Sequence, residues 1–387
     1  MAEITTVEKA VKDRYSGAAK AQEAALCCPV DYNQEYLDVI PQEIIERDYG
    51  CGDPSKYLRP GETVLDLGSG GGKICYIASQ VVGAKGKVIG VDMNDDMLSL
   101  AERYRDEVGD GIGYHNVSFH KGRIQDLALD YRKVEAYLES RPIRNAADLD
   151  AFESWKEGER RSHPMIPTAS VGVVVSNCVL NLVRPEDKRE LFAEMFRVLK
   201  KGGRVVISDI VSDEDVPVHL QSDPELWSGC ISGSFREDLF LKAFEDAGFY
   251  GIRMLKRDET PWQTVEGIEF RAVTVEAYKG KQGPCLERYQ AVVYKGPWRS
   301  VTDDDGHTLF RGQRMAVCDK TYHIYASEPY REDIQLIEPY EDIPLSDAEP
   351  FNCKKDAARH PRETKGLEYN VTQTTDAPYC GPDGDCC

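Results

Sequence analysis

Residues 64–72 read Val-Leu-Asp-Leu-Gly-Ser-Gly-Gly-Gly, and this stretch decides the fold. Val64, Leu65 and Leu67 are apolar, so the segment suits a short buried strand. Four glycines follow within five positions: Gly68, Gly70, Gly71 and Gly72. Glycine takes positive φ without steric cost and lets a ligand approach the main chain. Beyond them Ile74, Ile77, Ala78, Val81 and Val82 recur at helical spacing. Strand, glycine loop and helix make the first unit of a Rossmann-like α/β sheet.

The spacing separates two cofactor classes. A nicotinamide loop reads G-x-G-x-x-G, and here the last position is Lys73. What fits is D-x-G-x-G-x-G, from Asp66 to Gly72. That acidic start resembles the S-adenosylmethionine loop of class I methyltransferases. An acid suits a cationic sulfonium and would repel a pyrophosphate. Lys87 to Val91 reads as the next strand, ending at Asp92, twenty residues after Gly72. An acid there can accept both ribose hydroxyls. The expected cofactor contacts are Asp66, Gly68, Ser69, Gly70, Gly72, Asp92 and Met93. Ile124 and Gln125, after the third strand, are expected to bracket the adenine, with Asn177 at the end of the fourth.

Composition narrows the class. The chain has 387 residues, 41% hydrophobic and 30% charged, as in soluble proteins of two or three domains. A formal charge of −19 disfavours phosphate backbones, so no nucleic-acid partner is expected. The first 26 residues hold no apolar run of signal-peptide length, and no membrane span follows. A cytoplasmic monomer is expected. Twelve cysteines then need an explanation other than a secreted disulfide framework.

Residues 1–60 form a helical N-terminal segment, with helices expected over 7–20 and 34–47. The methyltransferase-like domain spans 61–280. In it, Asp95 to Glu107 reads as a helix capped by Asn94 or Asp95, and Val117 to His120 as strand three. Residues 129–168 are polar and proline-bearing, and read as one or two inserted helices at the rim. Strand four covers 171–177, a helix 186–200, strand five 204–210 and a helix 235–247. Residues 265–278 read as a closing antiparallel strand. Residues 281–387 form a small β-rich C-terminal domain. Its 328–349 stretch has eight acids and one arginine and reads as extended or loosely packed, and its Cys-rich end reads as a mobile tail.

Three cysteines stand where chemistry is placed in such a sheet. Cys51 lies in the glycine loop Asp48-Tyr49-Gly50-Cys51-Gly52. Cys178 ends strand four, in Ser176-Asn177-Cys178, and Cys230 follows strand five in Leu226-Trp227-Ser228-Gly229-Cys230. Ligands bind beyond the carboxyl ends of parallel strands. Their separations of 127 and 52 residues fit no local zinc pattern. Converging soft thiolates suit a thiophilic centre.

The motifs DYGCG, VLDLGSGGG, IGVDM, GRIQDL, SNCVLNLV, FRVLKKGG and LWSGCISG, in this order, resemble arsenite methyltransferases. The resemblance covers roughly residues 10–280 and, more loosely, the C-terminal part. It implies that Cys51, Cys178 and Cys230 bind As(III) as thiolates. It also implies a fourth cysteine, Cys27 or Cys28, in redox or relay chemistry. The implied cosubstrate is S-adenosylmethionine, the substrate arsenite or its glutathione conjugates. The implied external thiol reductant is thioredoxin or glutathione. Cys75 sits on the first helix of the fold and reads as a buried structural thiol. Cys318 and Cys353 read as small hydrophobes. Three departures bear on the rim and on substrate range: strand four starts Val171-Gly172 without an aspartate, residues 129–168 are added, and Gly229 replaces a glutamate before the third cysteine. Two rival readings are a methyltransferase for a carbon, oxygen or sulfur acceptor, and a metalloid-binding protein without catalysis.

Overall fold

The structure, a computed structural model, describes residues 2–23, 30–353 and 356–365. Cys27 and Cys28, and Cys380, Cys386 and Cys387 of the tail, lie outside the described residues. The chain forms two compact units, 1–280 and 281–387.

The first unit opens with helix α1 (Ala2–Ala18), α2 (Gln34–Leu37) and α3 (Gln42–Glu46). The single helix expected over 34–47 is split, because Pro41 offers no backbone N–H and disfavours helix before it. A 3₁₀ turn, Pro54–Tyr57, follows the Cys51 loop. Alternating elements come next: β1 (Thr63–Leu67), α4 (Lys73–Val82), β2 (Lys87–Asp92), α5 (Asp95–Ile112) and β3 (Val117–Lys121). Asn94 caps α5, accepting from the N–H groups of Asp96 and Met97. This helix runs past Gly109 and Gly111 and stops at Gly113, which takes φ 85°.

Residues 129–168 contain α6 (Tyr131–Ser140) and α7 (Ala146–Ser162). They enclose a small core of Leu129, Val134 and Phe152, with Trp155 stacked on Tyr137 at 4.5 Å. Then come β4 (Val171–Asn177), α8 (Lys188–Val198), β5 (Leu199–Ser212), α9 (Val218–Gln221) and α10 (Pro224–Ser228). The helix expected to reach residue 200 ends at Val198, because Leu199 already pairs with Val171. The unit closes with β6 (Phe235–Arg236), α11 (Glu237–Asp246), β7 (Tyr250–Arg257), β8 (Gln263–Val265) and β9 (Ile268–Tyr278).

The sheet order is β3-β2-β1-β4-β5-β9-β7. The first five strands are parallel, and β9 runs antiparallel to both neighbours. The stretch 265–278 therefore does not end the sheet. It lies inside it, and β7, which the sequence reading missed, takes the edge. Lys, Arg and Gly along 250–257 hide β7, since only one face is packed. Apolar cores cover both sheet faces. Strand order reverses at β1, so the crevice beyond β1 and β4 is the natural ligand site.

The second unit contains β10 (Leu286–Glu287), β11 (Ala291–Tyr294), β12 (Ser300–Thr302), β13 (Thr308–Phe310), β14 (Arg314–Ala316), α12 (Asp319–Tyr325), β15 (Ile334–Ile337), β16 (Glu349–Pro350) and α13 (Pro361–Lys365). Its core is Val292, Tyr294, Leu309, Met315, Val317, Tyr322, Tyr325 and Ile334. The acidic stretch 328–349 is not wholly loose: β15, an extended strand, pairs with β11 there. Among the described residues no helix is long and apolar enough to cross a membrane.

Candidate active site

A cavity of about 500 Å³ opens beyond β1, β2 and β4. Asp66, Gly68, Ser69, Gly70, Asp92, Met93, Ile124, Gln125 and Asn177 all line it, as does Cys178. Gly72 does not. It takes φ 90° at the start of α4, and a Cβ there would lie 2.9 Å from Phe119. Its glycine serves helix–strand packing. Gly70, at φ 51°, faces open space with nothing within 4 Å of a built Cβ.

The carboxylates are held from behind. Gly70 N–H donates to Asp92 Oδ2 at 2.9 Å and Asn94 N–H to Oδ1 at 2.8 Å. Burial nevertheless raises the Asp92 carboxyl above its ordinary range. Asp66 is deeper. Burial pushes it up to about 8, against the Cys75 thiol, which donates to it at 3.2 Å. Cys75 is fully buried on α4, as a structural thiol would be. Ser69 Oγ is buried and has no partner. A buried acid, a half-buried one, an orphaned hydroxyl and open space above a glycine loop fit a polar, cationic cofactor.

Cys51 and Cys230 are 2% and 3% exposed, and of the three candidate thiols only Cys178 lines the cavity. Asn177 positions the Cys51 loop. Its Oδ1 accepts from the N–H groups of Cys51 at 3.0 Å and Gly52 at 3.1 Å. Its Nδ2 donates to Gly52 O at 2.8 Å. Asn177 is therefore shared between the cavity wall and the thiol loop. Cys178 and Cys230 both take the left-handed region, at φ 62° and 63°. That conformation costs a residue with a Cβ about 1–2 kcal/mol, and such strain gathers at functional sites. Backbone bonds hold it: Cys178 N–H to Ser208 O at 2.8 Å, and Cys230 N–H to Trp227 O at 3.0 Å. Cys230 Sγ donates to Cys178 O at 3.1 Å.

Cys178 stands between the other two thiols and interacts with each. Cys230 favours the Cys178 thiolate, but Cys51, burial and Asp209 together hold Cys178 well above the ordinary thiol range. Cys230 is raised by Cys178 and then by burial. Cys178 thus links Cys51 on one side with Cys230 on the other, and none of the three is in a disulfide.

Asp209 was missed by the sequence reading, because it lies inside β5 in Ile207-Ser208-Asp209-Ile210. One of its oxygens and the sulfurs of Cys51 and Cys178 lie within 4.8 Å of one another. Leu180 and Ile210 N–H groups each donate to it at 2.8 Å. Burial pushes it up to about 6. Lys188, buried on α8, is pushed down to about 8 by the same desolvation, with Asp209 opposing. A charged residue amid an apolar strand was the available signal.

Helix α1 covers both parts. Tyr15 lines the cavity, and its hydroxyl lies 3.8 Å from Cys230 Sγ. Arg14 Nη1 donates to Glu225 O at 3.1 Å and Ser228 Oγ at 3.0 Å. Asn94, beside the cofactor cleft, donates to Lys12 O at 3.3 Å.

Comparison with known proteins extends this picture. Residues 58–248 match a methyltransferase domain family, and residues 281–369 match a domain family of unknown function. An arsenite methyltransferase of Aquipseudomonas alcaligenes is 29% identical over 313 residues, 78% of this chain and 80% of the relative. The human arsenite methyltransferase is 28% identical over 92% of this chain and 87% of its own. The crystal structure of CrArsM, an arsenic(III) S-adenosylmethionine methyltransferase from Chlamydomonas reinhardtii, superposes with a TM-score of 0.54 at 26% identity. It covers 82% of this chain and 100% of that one. The mouse arsenite methyltransferase is 30% identical over 315 residues, 78% of this chain and 74% of its own, and on that likeness the chain belongs to the arsenite methyltransferase family.

Proposed function

We propose that this chain methylates trivalent arsenic, with Cys51, Cys178 and Cys230 as the arsenic ligands and S-adenosylmethionine as methyl donor. The observation that carries the reading is the continuity of the site. Cys178 lines the same cavity as the glycine loop and Asp92, and its thiol adjoins Cys51 and Cys230. Bound in that cavity, S-adenosylmethionine supplies an electrophilic methyl group. The Gly68–Gly71 backbone gives it close approach, Asp92 accepts its ribose hydroxyls, and Ile124 and Gln125 bracket its adenine.

The raised thiols suit the substrate. Arsenous acid carries three hydroxyls, and each exchange with a thiol releases one water. The thiol proton leaves with the hydroxide, so no preformed thiolate is needed. Asp209 accepts that proton in passing, since its carboxyl, at about 6, is ionised at neutral pH. The thiols then hold arsenic with its lone pair facing the cavity. Alignment of that pair with the methyl carbon supplies most of the acceleration. Methyl transfer to the lone pair raises arsenic from As(III) to As(V). Two of the cysteine sulfurs then leave it as a disulfide, returning the two electrons. An external thiol, glutathione or thioredoxin, reduces that disulfide, with Cys27 or Cys28 as relay.

The test is incubation with arsenite, a thiol and S-adenosylmethionine, followed by arsenic speciation by mass spectrometry. Methylated arsenic is expected from the wild type, and none from Cys178→Ser or Cys230→Ser, whose hard oxygen binds As(III) poorly. Their S-adenosylmethionine affinity is expected unchanged. Undiminished turnover in either variant overturns the ligand assignment. Tight cofactor binding with no methyl transfer in the wild type favours a binding protein instead.

A further inference from the structure

The C-terminal unit holds a second thiol pair, remote in sequence from the three already described. Cys318 is the N-cap of α12. Its sulfur accepts from Thr321 N–H at 3.4 Å and lies 3.2 Å from Thr321 Oγ1. It is 2% exposed. The segment 283–288 runs alongside this helix start and is pinned to it on both flanks. Lys320 Nζ donates to Gly283 O at 3.3 Å, and Arg288 Nη1 pairs with Asp319 Oδ1 at 2.8 Å. Between those anchors stands Cys285, half-buried, its carbonyl accepting from Phe351 N–H at 2.9 Å. These anchors bring the Cys285 and Cys318 side chains near enough to interact, and neither is in a disulfide. Burial first, and Cys285 in addition, raise the Cys318 thiol.

Two adjoining thiols on a pinned backbone offer a chelate, and Cys285 gives it an opening to solvent. A hard cation gains nothing from such a pair, whereas a soft centre with two exchangeable ligands is matched by it. We propose that Cys285 and Cys318 form a second arsenical site, selective for trivalent arsenic bearing one carbon substituent. An arsonous acid RAs(OH)₂ reacts with the two thiols to give RAs(S)₂ and two waters. Two As–S bonds form, two As–O bonds break, each thiol proton leaves as water, and no electron is transferred. Inorganic arsenite has a third hydroxyl that this pair leaves unsatisfied. If the function proposed above holds, the site receives the once-methylated product. Its chemistry does not depend on that reading.

The probe is phenylarsine oxide, which closes on two thiols with loss of one water. The full-length protein, reduced with a phosphine, is titrated and its stoichiometry read by native mass spectrometry. The wild type, Cys285→Ser and Cys318→Ser are compared. Serine is a strong N-cap, so Cys318→Ser keeps α12. Each substitution is expected to remove one bound equivalent, its affinity falling about 100-fold with the loss of one chelate arm. Tryptic digestion of the loaded wild type is expected to join peptide 282–288 to peptide 315–320 through one phenylarsenic group. Arsenite methylation by both variants is expected unchanged. Unaltered stoichiometry in both variants, or a bridge from Cys285 or Cys318 to some other cysteine, overturns the proposal. Failure of the wild type to methylate arsenite refutes only the earlier reading.

Discussion

Asp66 shows how one residue ties protonation to ligand binding. Its carboxyl is raised to about 8 by burial, so at pH 7 it is mostly protonated in the ligand-free enzyme. A sulfonium cation in the cavity favours the carboxylate and draws that value down. Binding at pH 7 is then expected to release close to one proton. Affinity for S-adenosylmethionine rises as pH rises, by at most tenfold per unit, and levels off above about 8. The stability sign is opposite. A buried acid with a raised value contributes stability fully below its ordinary range near 3.8, lost as pH rises through about 8. Asp209 acts likewise through about 6. Calorimetry in buffers of different ionisation enthalpy measures the released proton. If Asp66→Asn releases as much as the wild type, another group is responsible.

At the scale of elements, two attachments hold the thiols. The first is the Cys51 loop on the end of β4. A Cβ on Gly50 would lie 2.1 Å from Asn177 Nδ2, so no side chain fits without moving Asn177. Gly50→Ala is expected to shift Cys51 and lower arsenite turnover at least tenfold, about 1.4 kcal/mol, while the stability changes by no more than about 1–3 kcal/mol. Wild-type turnover in that variant would mean that Cys51 is held by something other than Asn177. The second attachment is α1 on α10, through Arg14 and its bonds to Glu225 O and Ser228 Oγ. Arg14→Ala is expected to loosen α1 from Cys230, raising its alkylation by iodoacetamide about tenfold, as loss of about 1.5 kcal/mol would. Peptide-resolved mass spectrometry reads that rate, and an unchanged rate argues that α1 does not shield Cys230.

Those attachments also explain what the sequence could and could not reveal. The glycine loop and Asp92 are legible because local backbone chemistry dictates them. The placing of Cys178 follows from a strand end, and Cys51 and Cys230 from glycine-flanked loops. An acid inside an apolar strand marks Asp209, but its role is not legible because only tertiary pairing brings β5 beside the Cys51 loop. Strand β7 is illegible because its exposed face breaks the apolar run. Tyr15 is hidden for a related reason: nothing local says where a terminal helix docks.

The whole molecule carries a formal charge of −19, and its effect depends on the form in which arsenic arrives. Arsenous acid is neutral near pH 7, so the protein's field neither attracts nor repels it. A glutathione conjugate of As(III) carries free carboxylates and is repelled. Salt shortens the reach of that field, from about 30 Å at 0.01 M to about 8 Å at 0.15 M. Between those two conditions kcat/KM for free arsenite is expected to change less than twofold. For the conjugate it is expected to rise several-fold, because screening removes a barrier to encounter. S-adenosylmethionine is held saturating in both series, so the cofactor's own attraction to the protein does not enter. Parallel salt profiles for the two substrates would show that both reach the thiols as the same neutral species, with the conjugate dissociating in solution first. A rise confined to the conjugate would show that it meets the protein intact, and that exchange of glutathione for cysteine happens on the enzyme.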